Sequence, residues 1–314
     1  MRKWVNIIIV SLLLAGIAVL CVLRWQVWFG EPTPPVWEGD SLSYRFPTIE
    51  ETWRDTVTPE SLDLLVLGDI HNRLNQADYD TLAARVPQAD AVLQLGDWLD
   101  RGQDYYRQSI LHEWTQSALF GTPVIACPGN HEYSKGIVKS LSPVWSETFV
   151  HPQNGPKAVP GASYYIDLDA MRLIVIDTNP LDRLVYLTRT LTWLHTLMNE
   201  TGDRYIVVVM HHPVLSAGKG RFHPLIYGTF RYALGQADLV LAGHDHSYMR
   251  RTPFVVLNTA GKTKPQHTHL KAEATDSVPA YGLLSLNTKL STLTFTVYRL
   301  DDGAVIDSLY VHHD

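Results

Sequence analysis

Five short polar segments follow apolar runs in this chain, and each delivers residues that can hold a metal. Asp69 and His71 lie in Gly68-Asp69-Ile70-His71-Asn72, and Asp97 lies in Gly96-Asp97-Trp98-Leu99-Asp100-Arg101-Gly102. Asn130 lies in Pro128-Gly129-Asn130-His131-Glu132, His211 in Met210-His211-His212-Pro213, and His244 and His246 in Gly243-His244-Asp245-His246. Carboxylate, amide and imidazole donors together suit divalent first-row metals. An all-oxygen set would point to Ca²⁺ or Mg²⁺, and thiolates to structural zinc. The ligands are too many for one ion. Two ions sharing one carboxylate would use them all, and such a pair activates water while clamping the oxygens of an in-line displacement at phosphorus. Any one of these residues alone reads as readily as a helix cap or a satisfied turn; the recurrence at five strand ends argues for a site.

The elements that must position them are legible in the apolar pattern. Leu62–Leu67, Ala91–Leu95, Pro123–Cys127, Tyr205–Val209 and Ala237–Leu241 are short runs without polar alternation, as expected of strands buried on both faces. Helix-period stretches lie between the early ones, at 79–86 and 104–119. This alternation predicts an α/β sheet with its site along the C-terminal edge of the strands. Ser163–Leu168 and Met171–Ile176 read as a hairpin, and 190–199 and 225–234 as helices. The runs at 254–257, 283–286, 292–298 and 305–310 read as strands of a second sheet, and 262–279 as a loop.

In order and together, D-x-H, G-D-x-x-D-R, G-N-H-E, a later strand-end His and G-H-x-H resemble the calcineurin-like metallophosphoesterase superfamily, in a general bacterial form. The resemblance runs from about Leu62 to the terminal strands. It implies a four-layer α-β-β-α sandwich and two divalent ions, with Mn, Fe, Zn and Co all admissible. Asp69, His71 and His246 would hold one ion, Asn130, His211 and His244 the other, and Asp97 would bridge. The implied activity is hydrolysis of phosphomonoesters or phosphodiesters by a metal-bridging hydroxide. His131 would assist the leaving group, Asp100 would orient His131, and Arg101 would bind a phosphoryl oxygen. For Asp100 and Arg101 a helix-start salt bridge is the alternative.

Departures narrow the resemblance. Cys127-Pro128 stands where Ser/Thr protein phosphatases carry an arginine, which argues against protein phosphatase activity. His211-His212-Pro213 and the segment 243–248 are similar to purple acid phosphatases. Those enzymes place a tyrosine where Asp100 stands and lack a histidine at the position of His71, so no tyrosinate-iron chromophore is expected.

A formal net charge of -6 without a long basic run disfavours nucleic acid as a partner, and no protein partner can be inferred. Met1-Arg2-Lys3 precedes an apolar run at 5–23, close to the roughly 20 residues that span a bilayer. No small-x-small cleavage site follows, which favours an uncleaved transmembrane signal anchor over a signal peptide. Arg2 and Lys3 outweigh Arg24, so a tail of residues 1–4 is expected in the cytoplasm and the catalytic body outside, single-pass. Residues 24–60, rich in Pro, Glu and Thr, read as a linker, and 61–314 as the metallophosphoesterase domain. Two rival functions remain at this level. One is an envelope phosphatase acting on lipid-linked substrates. The other is a metal-dependent binding protein without turnover, which should show erosion at His131 or a ligand; none is visible.

Overall fold

The structure is a computed structural model that describes residues 41–49, 61–134, 139–168, 170–216, 224–264 and 272–311. Among the described residues no helix is long and apolar enough to cross a membrane. The expected anchor, residues 5–23, lies outside them.

A mixed α/β sandwich is built from two sheets. The first contains β1 (Ser61–Leu67), β2 (Ala91–Gln94) and β3 (Val124–Ala126), together with β11 (Ala280–Asn287), β12 (Thr292–Arg299) and β13 (Val305–Val311), in the order β13-β12-β11-β1-β2-β3. The second contains β4 (Tyr164–Leu168), β5 (Met171–Ile176), β6 (Tyr205–Met210), β7 (Leu239–Ala242), β8 (Tyr248–Arg251), β9 (Phe254–Val256) and β10 (Ala274–Asp276), in the order β10-β8-β9-β7-β6-β5-β4. β1, β2 and β3 run parallel, as do β5, β6, β7 and β9. Their C-terminal ends therefore share one edge of each sheet.

The period-2 geometry of a strand divides each apolar run between two cores. In β1, Leu64 and Val66 face the second sheet while Leu65 and Leu67 face helices. In β6, Val207 and Val209 join the same central core, and Ile206, Val208 and Met210 turn to the other side. Helices α1 (Gln76–Arg85), α2 (Asp104–Thr115) and α3 (Pro143–Thr148) cover the outer face of the first sheet, with Tyr79, Leu82, Leu111, Trp114 and Trp145 as anchors. Helices α4 (Leu184–Asn199) and α5 (Pro224–Ala233) cover the second, through Leu187, Leu194, Leu197 and Phe230.

Three expectations are corrected. Of the runs expected to build a second sheet, 283–286, 292–298 and 305–310 extend the first: β11 pairs antiparallel with β1, from Ser61↔Asn287 to Val66↔Gly282. Only β9 joins the second sheet. The physical reason is that β1 has β2 on one side only, and its other edge needs a partner for a strand that is buried on both faces. The folded body also begins before the expected boundary at 61. Phe46 and Ile49 are buried, and the Phe46 ring packs 5.0 Å from Trp98, 5.2 Å from Trp114 and 5.2 Å from Phe149. Its amide donates to Thr148 O at 3.0 Å. Within the expected loop 262–279, Ala274–Asp276 forms β10 against β8.

Candidate metal centre

The loops after the parallel strands are stitched to one another before any ligand is considered. The amide of Asp69 donates to Gly96 O at 3.1 Å and that of His71 to Asp97 O at 3.0 Å. Across the seam between sheets, Thr259 N–H donates to Gly68 O at 2.7 Å, and His211 places Nδ1 3.0 Å from Leu95 O. Close approach of the loops leaves no room for side chains at two glycines. A Cβ on Gly129 would collide with Asp97 Oδ1, and one on Gly243 would stand 2.6 Å from Asp69 Oδ2.

Five of the seven predicted ligands, Asp69, His71, Asp97, His244 and His246, have positive φ between 51° and 72°. Non-glycine residues avoid this region except for a small group that includes Asn, Asp and His, and such strain concentrates at functional sites. The conformation turns each side chain back over the strand edge into a common space.

There the ligand atoms form two adjoining groups. Asp69, His71, Asp97 and His246 offer atoms within 4.8 Å of one another. His71 Nε2 lies 3.2 Å from His246 Nε2, 3.8 Å from Asp69 Oδ1 and 3.7 Å from Asp97 Oδ2. The second group gathers around His211, whose Nε2 is 3.3 Å from Asp97 Oδ2, 3.2 Å from Asn130 Oδ1 and 3.2 Å from His244 Nδ1. Asp97 Oδ2 therefore stands in both groups. All seven predicted ligands are brought together.

The donor chemistry fits cations. His211 Nδ1 and His246 Nδ1 face the carbonyls of Leu95 and Lys262, at 3.0 and 2.8 Å, and carbonyls only accept. Both rings therefore carry hydrogen on Nδ1 and turn Nε2 lone pairs toward carboxylate and amide oxygens and other imidazoles. Acceptors facing acceptors need a proton or a metal between them. Asp69 Oδ1 points the same way, being buried without a hydrogen-bond partner, while Asp69 Oδ2 takes the His244 amide at 2.7 Å. Burial would raise the Asp69 and Asp97 carboxyls, but the surrounding histidines overcome it and hold both well below the usual range. Burial likewise lowers His211, and Asp97 more than offsets it, so the imidazole is lifted to about 9. In the metal-free protein, protons substitute for missing positive charge.

His131 presents Nε2 4.0 Å from Asp97 Oδ2, and its amide donates to Asp97 Oδ1 at 2.8 Å. Its ring meets the main chain of Asp100 rather than the carboxylate. His131 Nδ1 faces the main-chain carbonyl of Asp100 at 2.5 Å, whereas the Asp100 carboxylate lies 3.7 Å from His71 Nδ1. Arg101 keeps Nη1 buried without a hydrogen-bond partner. His212, directly after His211, has its ring 4.5 Å from that of His244 and offers a ligand atom near those of His211 and His244.

Two supports stand behind the ligand loops. Buried Glu132 accepts the amides of Asp97, Leu99 and Gly129 at 3.0, 2.9 and 2.7 Å, locking the Asp97 and Asn130 loops together. Burial, with Asp97 nearby, pushes its carboxyl up to about 8. The second support is Asp177-Thr178-Asn179, a sixth polar segment directly after an apolar strand. The same pattern that revealed the five ligand segments could have found it.

Comparison with known proteins agrees with this geometry. Residues 62–248 match the calcineurin-like phosphoesterase family. A glycerophosphodiester phosphodiesterase, GpdQ, from Enterobacter lignolyticus is 28% identical over 133 residues, 40% of this chain and 45% of that protein. The match thus spans less than half of the curated relative. Among solved structures, a purple acid phosphatase from yellow lupin (Lupinus luteus) seeds superposes with a TM-score of 0.61 at 14% identity, covering 80% of this chain and 53% of that one. GAP50, described as the anchor in the inner membrane complex of Plasmodium, gives 0.57 at 14% identity, covering 80% of this chain and 89% of that one. At such identities the two structures speak for the fold, while the family match includes every ligand-bearing segment. The chain belongs to the calcineurin-like phosphoesterase family.

Proposed function

We propose that this protein is a dinuclear metal-dependent phosphoesterase acting on phosphomonoesters or phosphodiesters. The observation that carries the proposal is the position of Asp97 Oδ2 in two adjoining ligand groups, 3.7 Å from His71 Nε2 and 3.3 Å from His211 Nε2. Asp69, His71 and His246 would hold one divalent ion and Asn130, His211 and His244 the other, with Asp97 shared. Bound there, the ions would supply water made acidic enough to attack near neutral pH and positive charge for the phosphoryl oxygens.

The chain's own residues supply the rest. Nδ1–H of His131 donates to Asp100 O, which fixes the ring with Nε2 toward the centre. As imidazolium, a form that burial disfavours and the Asp97 carboxylate favours, it would give its Nε2 proton to the leaving oxygen. Arg101 would donate from its unpartnered Nη1 to a phosphoryl oxygen. A diester is favoured as one substrate class by the similarity to a protein named as a glycerophosphodiester phosphodiesterase. The apolar run at 5–23 further supports a single-pass anchor with the body outside the cytoplasm, and hence access to envelope substrates.

The test is a paired assay on metal-depleted protein reloaded with Mn²⁺, using a monoester and a bis-ester of one chromogenic phenol. Metal-restored hydrolysis of either is expected. Two ions bound with neither ester cleaved would sink the proposal in favour of binding without turnover.

A further inference from the structure

The segment Asp177-Thr178-Asn179, directly after β5, carries no predicted ligand, yet it touches two of the loops that do. The Asn179 Nδ2 amide donates to Asp177 Oδ1 at 2.9 Å and to the carbonyls of Pro128 and Gly129, both at 3.2 Å. All three partners accept only, so the amide orientation is fixed by the network and its two hydrogens are fully used. Asp177 is itself locked in place. Its Oδ1 takes the Asn179 main-chain amide at 3.0 Å, and its Oδ2 takes Tyr133 Oη–H at 2.5 Å and the Ala162 amide at 3.0 Å. Tyr133 lies on the far side of the same loop, so the stretch from Pro128 to Tyr133 is gripped at both ends. Thr178 Oγ1 meanwhile lies 2.7 Å from His212 Nδ1 and takes the His212 amide at 3.3 Å. His212 directly follows His211.

The two loops so held bear Asn130 and His211, whose ligand atoms are 3.2 Å apart. In the proposed assignment both would hold the same ion. The hydrogen bonds of this segment do not include Asp69, His71 or His246. Resting on the dinuclear reading above, we infer that Asp177, Thr178 and Asn179 are positioning residues that set the affinity of the Asn130–His211–His244 site alone. They make that ion separately tunable from the one beside it. Partners behind metal ligands typically change affinity by about 10–100-fold when removed.

The experiment titrates the metal-depleted full chain with Mn²⁺ by calorimetry, with bound metal counted after dialysis. The variants are Thr178→Val, which keeps the side-chain shape but not the hydroxyl, Thr178→Ser, which restores the hydroxyl, and Asn179→Ala. In the wild type two sites are expected. Thr178→Val and Asn179→Ala should each weaken one site by about 10–100-fold and leave the other unchanged, and Thr178→Ser should bind like the wild type. Adding His246→Ala to Thr178→Val should remove the unchanged site and leave the weakened one. Two unchanged sites in both Thr178→Val and Asn179→Ala, or equal weakening of both sites, would overturn the inference while leaving the dinuclear reading intact. A wild type that binds a single ion would overturn both.

Discussion

Asp97 and His211 meet across the seam between the two sheets, with Oδ2 3.3 Å from Nε2. One stands at the end of β2 and the other at the end of β6. The contact joins the first sheet's ligand loops to the second's, so the centre belongs to neither sheet alone.

Asp97→Ala should therefore strip metal from both halves at once. Elemental analysis after dialysis should find well under one ion per chain. Retention of two would remove Asp97 from the shared position.

His131→Ala should leave metal content intact, because its side chain is not among the predicted ligands. Turnover should fall by roughly 10²–10⁴-fold with alkyl leaving groups and much less with acidic phenols. Equal losses on both would assign His131 to binding rather than proton transfer.

Gly129→Ala should disable the centre without replacing a ligand. The added Cβ would collide with Asp97 Oδ1, and the neighbouring atoms include Asp97 N, so the two loops cannot keep their spacing. A variant with wild-type metal stoichiometry and turnover would show that the loops can separate without consequence.

Phe46→Ala should lower stability by about 3–5 kcal/mol, the usual cost of emptying a buried aromatic site. Denaturant unfolding measures it. A loss below about 1 kcal/mol would place residues 41–49 outside the cooperative core.

The Asp167–Arg172 pair in the β4–β5 hairpin predicts a pH-dependent contribution. Arg172 bonds both carboxylate oxygens, at 2.6 and 2.8 Å, and holds the Asp167 carboxyl below its ordinary 3.8. A depressed carboxyl stabilises the fold above its unfolded pKa and loses that contribution as pH falls through the folded one. With Asp167 36% exposed, solvent screening limits the effect. Asp167→Asn should cost about 0.5 kcal/mol at pH 7, narrowing toward zero in strong acid. A difference that persists unchanged in acid would mean that packing, not charge, is involved.

The candidate centre was readable in the sequence because every candidate ligand follows a doubly buried strand, and such strands announce themselves as apolar runs. What escaped was whatever depends on tertiary pairing. Nothing local in Leu283–Leu286 says which sheet it joins; that follows from the open edge of β1. Residues 41–49 carry linker-like composition, and only their packing on Trp98 and Phe149 reveals Phe46 as core. Asp100 was expected to orient His131 and meets the ring through its main-chain carbonyl, which leaves no trace in residue type. Asp177 and Asn179 resemble ordinary turn residues until their partners on the Gly129 loop are seen.

The pairing of β1 with β11 also bears on how the chain is made. Ser61 and its partner Asn287 are synthesised far apart in time. At ordinary rates of translation the delay is about 10–45 s. Throughout that interval this edge of β1 has no partner, and for most of it His211, His244 and His246 are still untranslated. Protection of that edge, by a chaperone or by slow collapse, is a requirement written into the strand order.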